Sequence, residues 1–205
     1  MNLLIYGAGG HGKVVATAAC ETLNYKNIFF LDPGKEHFKF LNKDKVFYLN
    51  PNHISSIRSD NPDSILAIGD NNIRMKIARE HPEDNFISIT SLGSYISDFS
   101  EISKGVFVAA GAIINSDAFI GIHSIINTGS IIEHDCKIGN FCHIGPNAAL
   151  GGNVALGSNV LIGGGSFVNP NITICSDVVI GSGSVVIDDV NEAGVYVGSP
   201  VKRIK

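Results

Sequence analysis

From Ile96 onward every sixth residue is aliphatic: Ile102, Val108, Ile114, Ile120, Ile126, Ile132, Ile138, Ile144, Leu150, Leu156, Ile162, Val168, Ile174, Ile180 and Val186 follow in one unbroken register. The residue four places after each of the first fifteen is always Ser, Ala, Cys, Val or Ile. Glycine directly follows the aliphatic residue at 121, 139, 145, 151, 157, 163 and 181. Neither a 3.6-residue period nor simple alternation produces this pattern. A six-residue period reads as a short strand with one large inward side chain, then a turn in which Gly or Asn accepts an unusual backbone angle. The smaller inward residue lets the strands fold round a narrow three-sided prism. Coils of about 18 residues stack by parallel hydrogen bonding at about 4.8 Å per rung, which makes roughly five coils.

The preceding residues follow another rule. Leu3–Tyr6, Ile28–Leu31 and Ile65–Ile68 are short apolar runs that read as buried strands, with Phe86–Ile89 a candidate fourth. Helical patterns run from about Lys13 to Leu23 and over Asn72–Glu80, whereas Pro33–Asp63 is polar and irregular. Strands alternating with helices predict a small α/β, Rossmann-like domain over residues 1–90, with the coil and a C-terminal tail over 91–205.

The first strand runs into Gly7-Ala-Gly-Gly-His-Gly12, and Asp32 lies twenty residues beyond Gly12, where a ribose-binding carboxylate is expected. A dinucleotide needs two mononucleotide halves, and the segment before the coil holds only one. The same chemistry serves a nucleotide sugar: glycines let backbone approach the diphosphate, and a helix N-terminus attracts it.

Composition removes other classes. The net charge of −4 offers no general attraction to nucleic acid or an anionic membrane. No run reaches the length of a membrane span, and the N-terminal apolar run is too short and unflanked for a signal peptide. The four cysteines have no CxxC spacing and read as reduced thiols, with Cys136 and Cys142 inert in the small inward phase. A cytoplasmic location is expected.

Tyr6-Gly-Ala-Gly-Gly-His-Gly12, Ala67-Ile-Gly-Asp-Asn71, Ile132-Glu-His-Asp135 and Gly198-Ser-Pro-Val-Lys-Arg203, in that order before and within an unbroken coil, resemble one group of hexapeptide-repeat acyltransferases. It contains the N-acetyltransferases of UDP-linked 4-amino-4,6-dideoxy sugars and the related sialic acid O-acetyltransferases. Val201 departs from the usual alanine, and Ile89-Thr-Ser91 lacks a histidine common at the coil entrance. The resemblance implies a left-handed parallel β-helix and a homotrimer with active sites between neighbouring prisms. It also implies acetyl transfer from acetyl-CoA to a nucleotide-sugar acceptor, with no metal.

By the same resemblance His134 is the general base, assisted by the following acidic residue, here Asp135. An imidazole suits that task near neutral pH, and a carboxylate on its other nitrogen would fix the tautomer. The resemblance further places Gly9, Gly10, His11 and Gly69 at the acceptor site, with Asp32 near base or ribose. His143 would contact coenzyme A, and Gly152, Gly164 and Ser182 would line its pantetheine groove. Pro33 stands where relatives can carry a second acidic residue. An amine acceptor on a UDP sugar is favoured over a sialic acid hydroxyl, because a free sialic acid leaves the nucleotide site unused. A β-helical carbonic anhydrase built on His123, His134 and His143, and a non-catalytic binding protein, are the competing classes. Residues 134 and 143 lie half a coil apart and do not form a close ligand pair.

Overall fold

A computed structural model of the protein describes residues 1–34, 46–49 and 54–205. The chain opens with β1 (Asn2–Tyr6), α1 (Gly10–Thr22) and β2 (Asn27–Leu31). There follow β3 (Val46–Tyr48), α2 (Ile54–Arg58), β4 (Asp63–Leu66), α3 (Asn71–Glu80) and β5 (Asn85–Phe86). The strands form one parallel sheet in the order β3-β2-β1-β4-β5. β3 and α2 fall in the segment read from sequence as irregular, part of which lies outside the described residues. Both are too short to show a period of their own. Leu3, Leu4, Ile5, Phe30 and Ile65 are fully buried, as expected of a sheet covered on both faces.

The expected strand at Phe86–Ile89 is two strands with different allegiances. Phe86 pairs with Ser64 in this sheet, whereas Ile89–Thr90 pairs with Phe107–Val108 and begins the β-helix. The six-residue register therefore starts one unit earlier than the aliphatic pattern, because its first inward position is the polar Thr90.

From there the chain winds as a three-sided parallel prism. Its docked face carries Ile89, Phe107, Ile125, His143, Leu161 and Val179 at the outward positions. The apolar face carries Tyr95, Ile113, Ile131, Ala149, Phe167 and Val185. The polar face carries Glu101, Phe119, Lys137, Ala155 and Thr173. Inward residues from Val108 to Val186, together with the smaller second phase, make one continuous core. Cys136 and Cys142 are buried in it, their thiols pushed up to about 11 by desolvation.

The turn geometry assigns the glycines two separate jobs. From Gly105 to Gly183 the third residue after each inward aliphatic has φ between +54° and +74°, and Gly, Asn and Asp hold twelve of these fourteen places. His123 and Phe141 are the other two. The glycines directly after the aliphatic residues relieve crowding between rungs: a Cβ on Gly163 would lie 2.4 Å from the Ser182 nitrogen of the next coil. The N-terminal domain seats itself on the docked face, where Ile89, Phe107 and Ile125 join Val15, Ala19 and Ile28 in a shared cluster. Among the described residues no helix is long and apolar enough to cross a membrane.

Gly163→Ala should lower the denaturant midpoint, with a cost of about 1–3 kcal/mol from overpacking against backbone that cannot yield. An unchanged midpoint in equilibrium unfolding would contradict the stacking argument.

Candidate active site

The order of the parallel sheet reverses between β1 and β4, and a crevice opens at the carboxyl ends of these strands. It is a cavity of about 720 Å³ bordered by Gly9, Gly10, His11, Asp32 and Gly69, with Tyr6, Ile73, Ile77 and His81 completing its wall. Five sequence-derived acceptor residues therefore converge.

The glycine loop explains itself locally. Gly7 has φ +104° and lies against Ala67 and Ile68, so a side chain there would be strained and crowded. Gly12 packs on the Gly7 carbonyl, where a Cβ would come within 2.1 Å. Gly9 and Gly10 have nothing within 4 Å of a notional Cβ. They open onto the cavity at the N-terminus of α1, where the amides of the first turn can receive an anion. Asp32 clamps this loop: its carboxylate accepts hydrogen bonds from the backbone N–H of Ala8 at 2.9 Å and of Gly34 at 3.0 Å.

His11 is largely desolvated, and its Nε2 is buried without a hydrogen-bond partner. Its ring lies edge-on to Phe107 and 6.4 Å from the ring of His143. His143 spans the domain boundary, with Nδ1 3.2 Å from the Gly69 carbonyl and Nε2 3.0 Å from the Asn127 amide nitrogen. A carbonyl only accepts and an amide nitrogen only donates, so His143 carries its proton on Nδ1. Burial, with a lesser contribution from Arg74, lowers both His11 and His143 to about 4, so both are neutral at pH 7.

His134 stands elsewhere. It lies in the turn between Ile131–Ile132 of the apolar face and Lys137–Ile138 of the polar face. That edge is opposite the docked face in a three-sided prism. Its Nδ1 is 2.7 Å from Asp135 Oδ2, and this hydrogen bond is the main cause that raises its pKa. Asp135 has φ +63°, the left-handed turn position that aims its carboxylate back at the preceding ring. Gly152 lies in the next rung, where a Cβ would be 2.7 Å from His134 Nε2, so only glycine leaves room for the imidazole. Gly164 and Ser182 lie on the third arrangement of turns, at the edge between docked and apolar faces.

One chain thus brings the acceptor residues together with His143, and His134 with Asp135 and Gly152, but leaves these two groups on opposite sides of the prism. Sequence reasoning missed Tyr6 and His81 on the cavity wall, and Asn127 and Arg74, which bond to His143 and to the Ile68 and Gly69 carbonyls behind it. Arg74 had a signal: a cation three residues after Asn71, on the side of α3 that faces the protein. Among the described residues no group of three or more His, Cys, Asp and Glu side chains is placed to hold a metal.

Residues 2–81 match the family model described as PglD N-terminal domain. No curated protein matches the chain by sequence search. Perosamine N-acetyltransferase from Caulobacter crescentus, solved with CoA and GDP-perosamine, is 31% identical over 100% of this chain and 97% of its own, with a TM-score of 0.87. The acetyltransferase domain of PglB from Neisseria gonorrhoeae, solved with acetyl coenzyme A, is 30% identical over 99% of this chain and 98% of its own, with a TM-score of 0.90. WeeI from Acinetobacter baumannii shares the fold at 24% identity, with full coverage of both chains and a TM-score of 0.90.

Two titrations are expected. For His11, His143 and His123, each held near 4 in the fold against an ordinary 6.5, the unfolded chain binds more protons between those values. Stability is therefore full above pH 6.5 and falls as pH drops toward 4, which urea midpoints across that window would show. Asp135→Asn tolerates the same turn but removes the charge, so the His134 titration followed by NMR should shift downward. An unmoved titration would show that Asp135 does not support the imidazole.

With the coil, the cavity over its docked face and these relatives together, the chain belongs to the hexapeptide-repeat sugar N-acetyltransferases.

Proposed function

We propose that the protein transfers the acetyl group of acetyl-CoA to the amino group of a nucleotide-linked 4-amino-4,6-dideoxy sugar, with UDP as the nucleotide. The observation that carries the reading is the His134–Asp135 pair on an exposed coil edge. With Nδ1–H donated to the carboxylate, Nε2 presents its lone pair outward. The acceptor amine attacks the thioester carbonyl, His134 Nε2 takes the proton the nitrogen loses, and collapse expels the CoA thiolate as the amide forms. That proton then passes to the departing sulfur. Family relatives support the donor and the acceptor type: the Caulobacter enzyme was solved with CoA and a nucleotide-linked amino sugar.

The nucleotide sugar is assigned to the cavity of about 720 Å³, its diphosphate at the α1 N-terminus beside Gly9 and Gly10. Its base or ribose would reach Asp32. Since His134 stands on the edge opposite that cavity, we assign the complete site to a homotrimer. The apolar face is the matching surface: Tyr95 is 58% exposed and Phe167 42% exposed, with Ile113, Ile131 and Val185 between and beside them. A second copy seated on this face would bring its His134, Asp135 and Gly152 toward Gly164, Ser182 and His143 of the first. The thioester arm is assigned to the resulting groove. Both substrates are metabolites of the cytoplasm, where we place the enzyme.

The test mixes the protein with acetyl-CoA and UDP-, GDP- or dTDP-linked 4-amino-4,6-dideoxy sugars, or a sialic acid, and follows thiol release. Turnover with the UDP sugar is expected, reduced by about two to four orders of magnitude in His134→Ala with trimer and fold intact. Turnover with the GDP sugar alone would correct the nucleotide. Turnover with sialic acid alone would overturn the amine acceptor, and a fully active His134→Ala would remove the base.

A further inference from the structure

Arg74 is fully buried, and among the described residues no carboxylate lies within ion-pair distance of its guanidinium. Its donors go to oxygen atoms on both sides of the domain boundary. Nη1 donates to the carbonyls of Ile68 at 2.9 Å and Gly69 at 3.1 Å, in the loop that walls the acceptor cavity. Nε donates to His123 O at 3.1 Å, and Nη2 to Phe141 O and Cys142 O at 3.1 and 3.2 Å, on two successive rungs of the coil. Asn71 Oδ1 takes a further bond from Nη2 at 2.7 Å, and the Asn71 amide donates to Val160 O on a third rung. A planar fork with five N–H groups suits such a cluster of carbonyls, and an ammonium cannot span it.

A desolvated charge is tolerated only where acceptors match its donors, and an apolar side chain here would leave those acceptors without a partner. The arrangement is therefore explained by what the guanidinium holds. Gly69 O receives both Arg74 Nη1 and His143 Nδ1–H. This shared oxygen ties the loop that walls the cavity to His143 of the coil.

We propose that Arg74 is a positioning residue for acyl transfer, holding the Gly69 carbonyl and, through it, the His143 imidazole on the wall between acceptor cavity and coil. The proposal rests on the reading of that cavity as the acceptor site. The guanidinium also acts through its charge: burial is the main cause that lowers His143 and His11, and Arg74 adds to it, so each neutral ring keeps one nitrogen able to accept a hydrogen bond.

Two variants separate geometry from charge. Arg74→Lys keeps the charge but cannot reach Gly69 O and the rung carbonyls together. Arg74→Gln removes the charge. Side-chain 15N NMR of His143 in the free protein reads the tautomer without any substrate. The wild type should show the proton on Nδ1 with a midpoint near 4. Arg74→Lys should show mixed tautomers, with KM raised about tenfold for the nucleotide sugar, whose cavity Gly69 walls, and raised also for acetyl-CoA, whose assigned groove His143 borders. Arg74→Gln should shift the His143 midpoint further upward than Arg74→Lys, which disturbs the packing but keeps the charge. If Arg74→Gln does not fold, the tautomer in Arg74→Lys decides. A folded Arg74→Lys with the Nδ1–H tautomer intact and unchanged kinetics overturns the proposal. If the wild type itself transfers no acetyl group to a nucleotide-linked amino sugar, the acceptor reading fails, and the tautomer alone still judges Arg74.

Discussion

Rung-on-rung stacking is the constraint from which the rest of the molecule hangs. Each coil must place a large aliphatic side chain inward every six residues and then turn through a left-handed backbone position. Once that register is set, side chains two residues past an inward position necessarily lie on an edge, and their neighbours in adjacent coils lie directly beside them. His134 over Gly152 follows from this, as does the approach of Gly145 to Gly163 and Gly164. A site built on such a coil is rigid because moving one residue means moving a rung whose backbone is bonded above and below.

The same stacking supplies a docking surface. Left-handed turns at His123 and Phe141 present carbonyls at the rung corners, and Arg74 gathers them. These two positions are the ones where the turn residue is neither Gly, Asn nor Asp. Their rings stack at 5.1 Å, and Phe86 meets His123 edge-on, so packing at the domain boundary offsets the strained backbone. The cavity of the N-terminal domain is thereby held at a fixed place over the docked face. The acid-sensitive histidines sit on the same boundary, which makes the docking of the two domains the part of the structure most exposed to low pH.

Much of this was legible in the amino-acid sequence. The period from Ile96 to Val186 has one physical solution, and the residues at its inward positions are buried as the pattern requires, apart from the partly covered Ile96 and Ile102 at its start. The glycine loop with Asp32 was legible because backbone geometry demands it at Gly7 and Gly12. Three things were hidden. Thr90 concealed the first coil strand, since a polar residue breaks an aliphatic pattern without breaking the fold. Val46–Tyr48 was too short to declare itself an edge strand. Arg74 and Asn127 act on partners 49 to 68 and 16 residues away, and no local pattern announces a contact at that range.

The division of one chain into a cavity on one side and His134 with Asp135 on the other carries the central proposal, that a working site needs two copies. Mixing two inactive variants tests it most directly: His134→Ala, which keeps the cavity, and Asp32→Ala, which keeps the base but loosens the glycine loop. After the two are unfolded and refolded together, the proposed trimer would form with mixed protomers, giving sites with an intact cavity from one copy and an intact His134 from its neighbour, and acetyl transfer should return. Mixed trimers that form in good yield and stay as inactive as either parent would contradict the account.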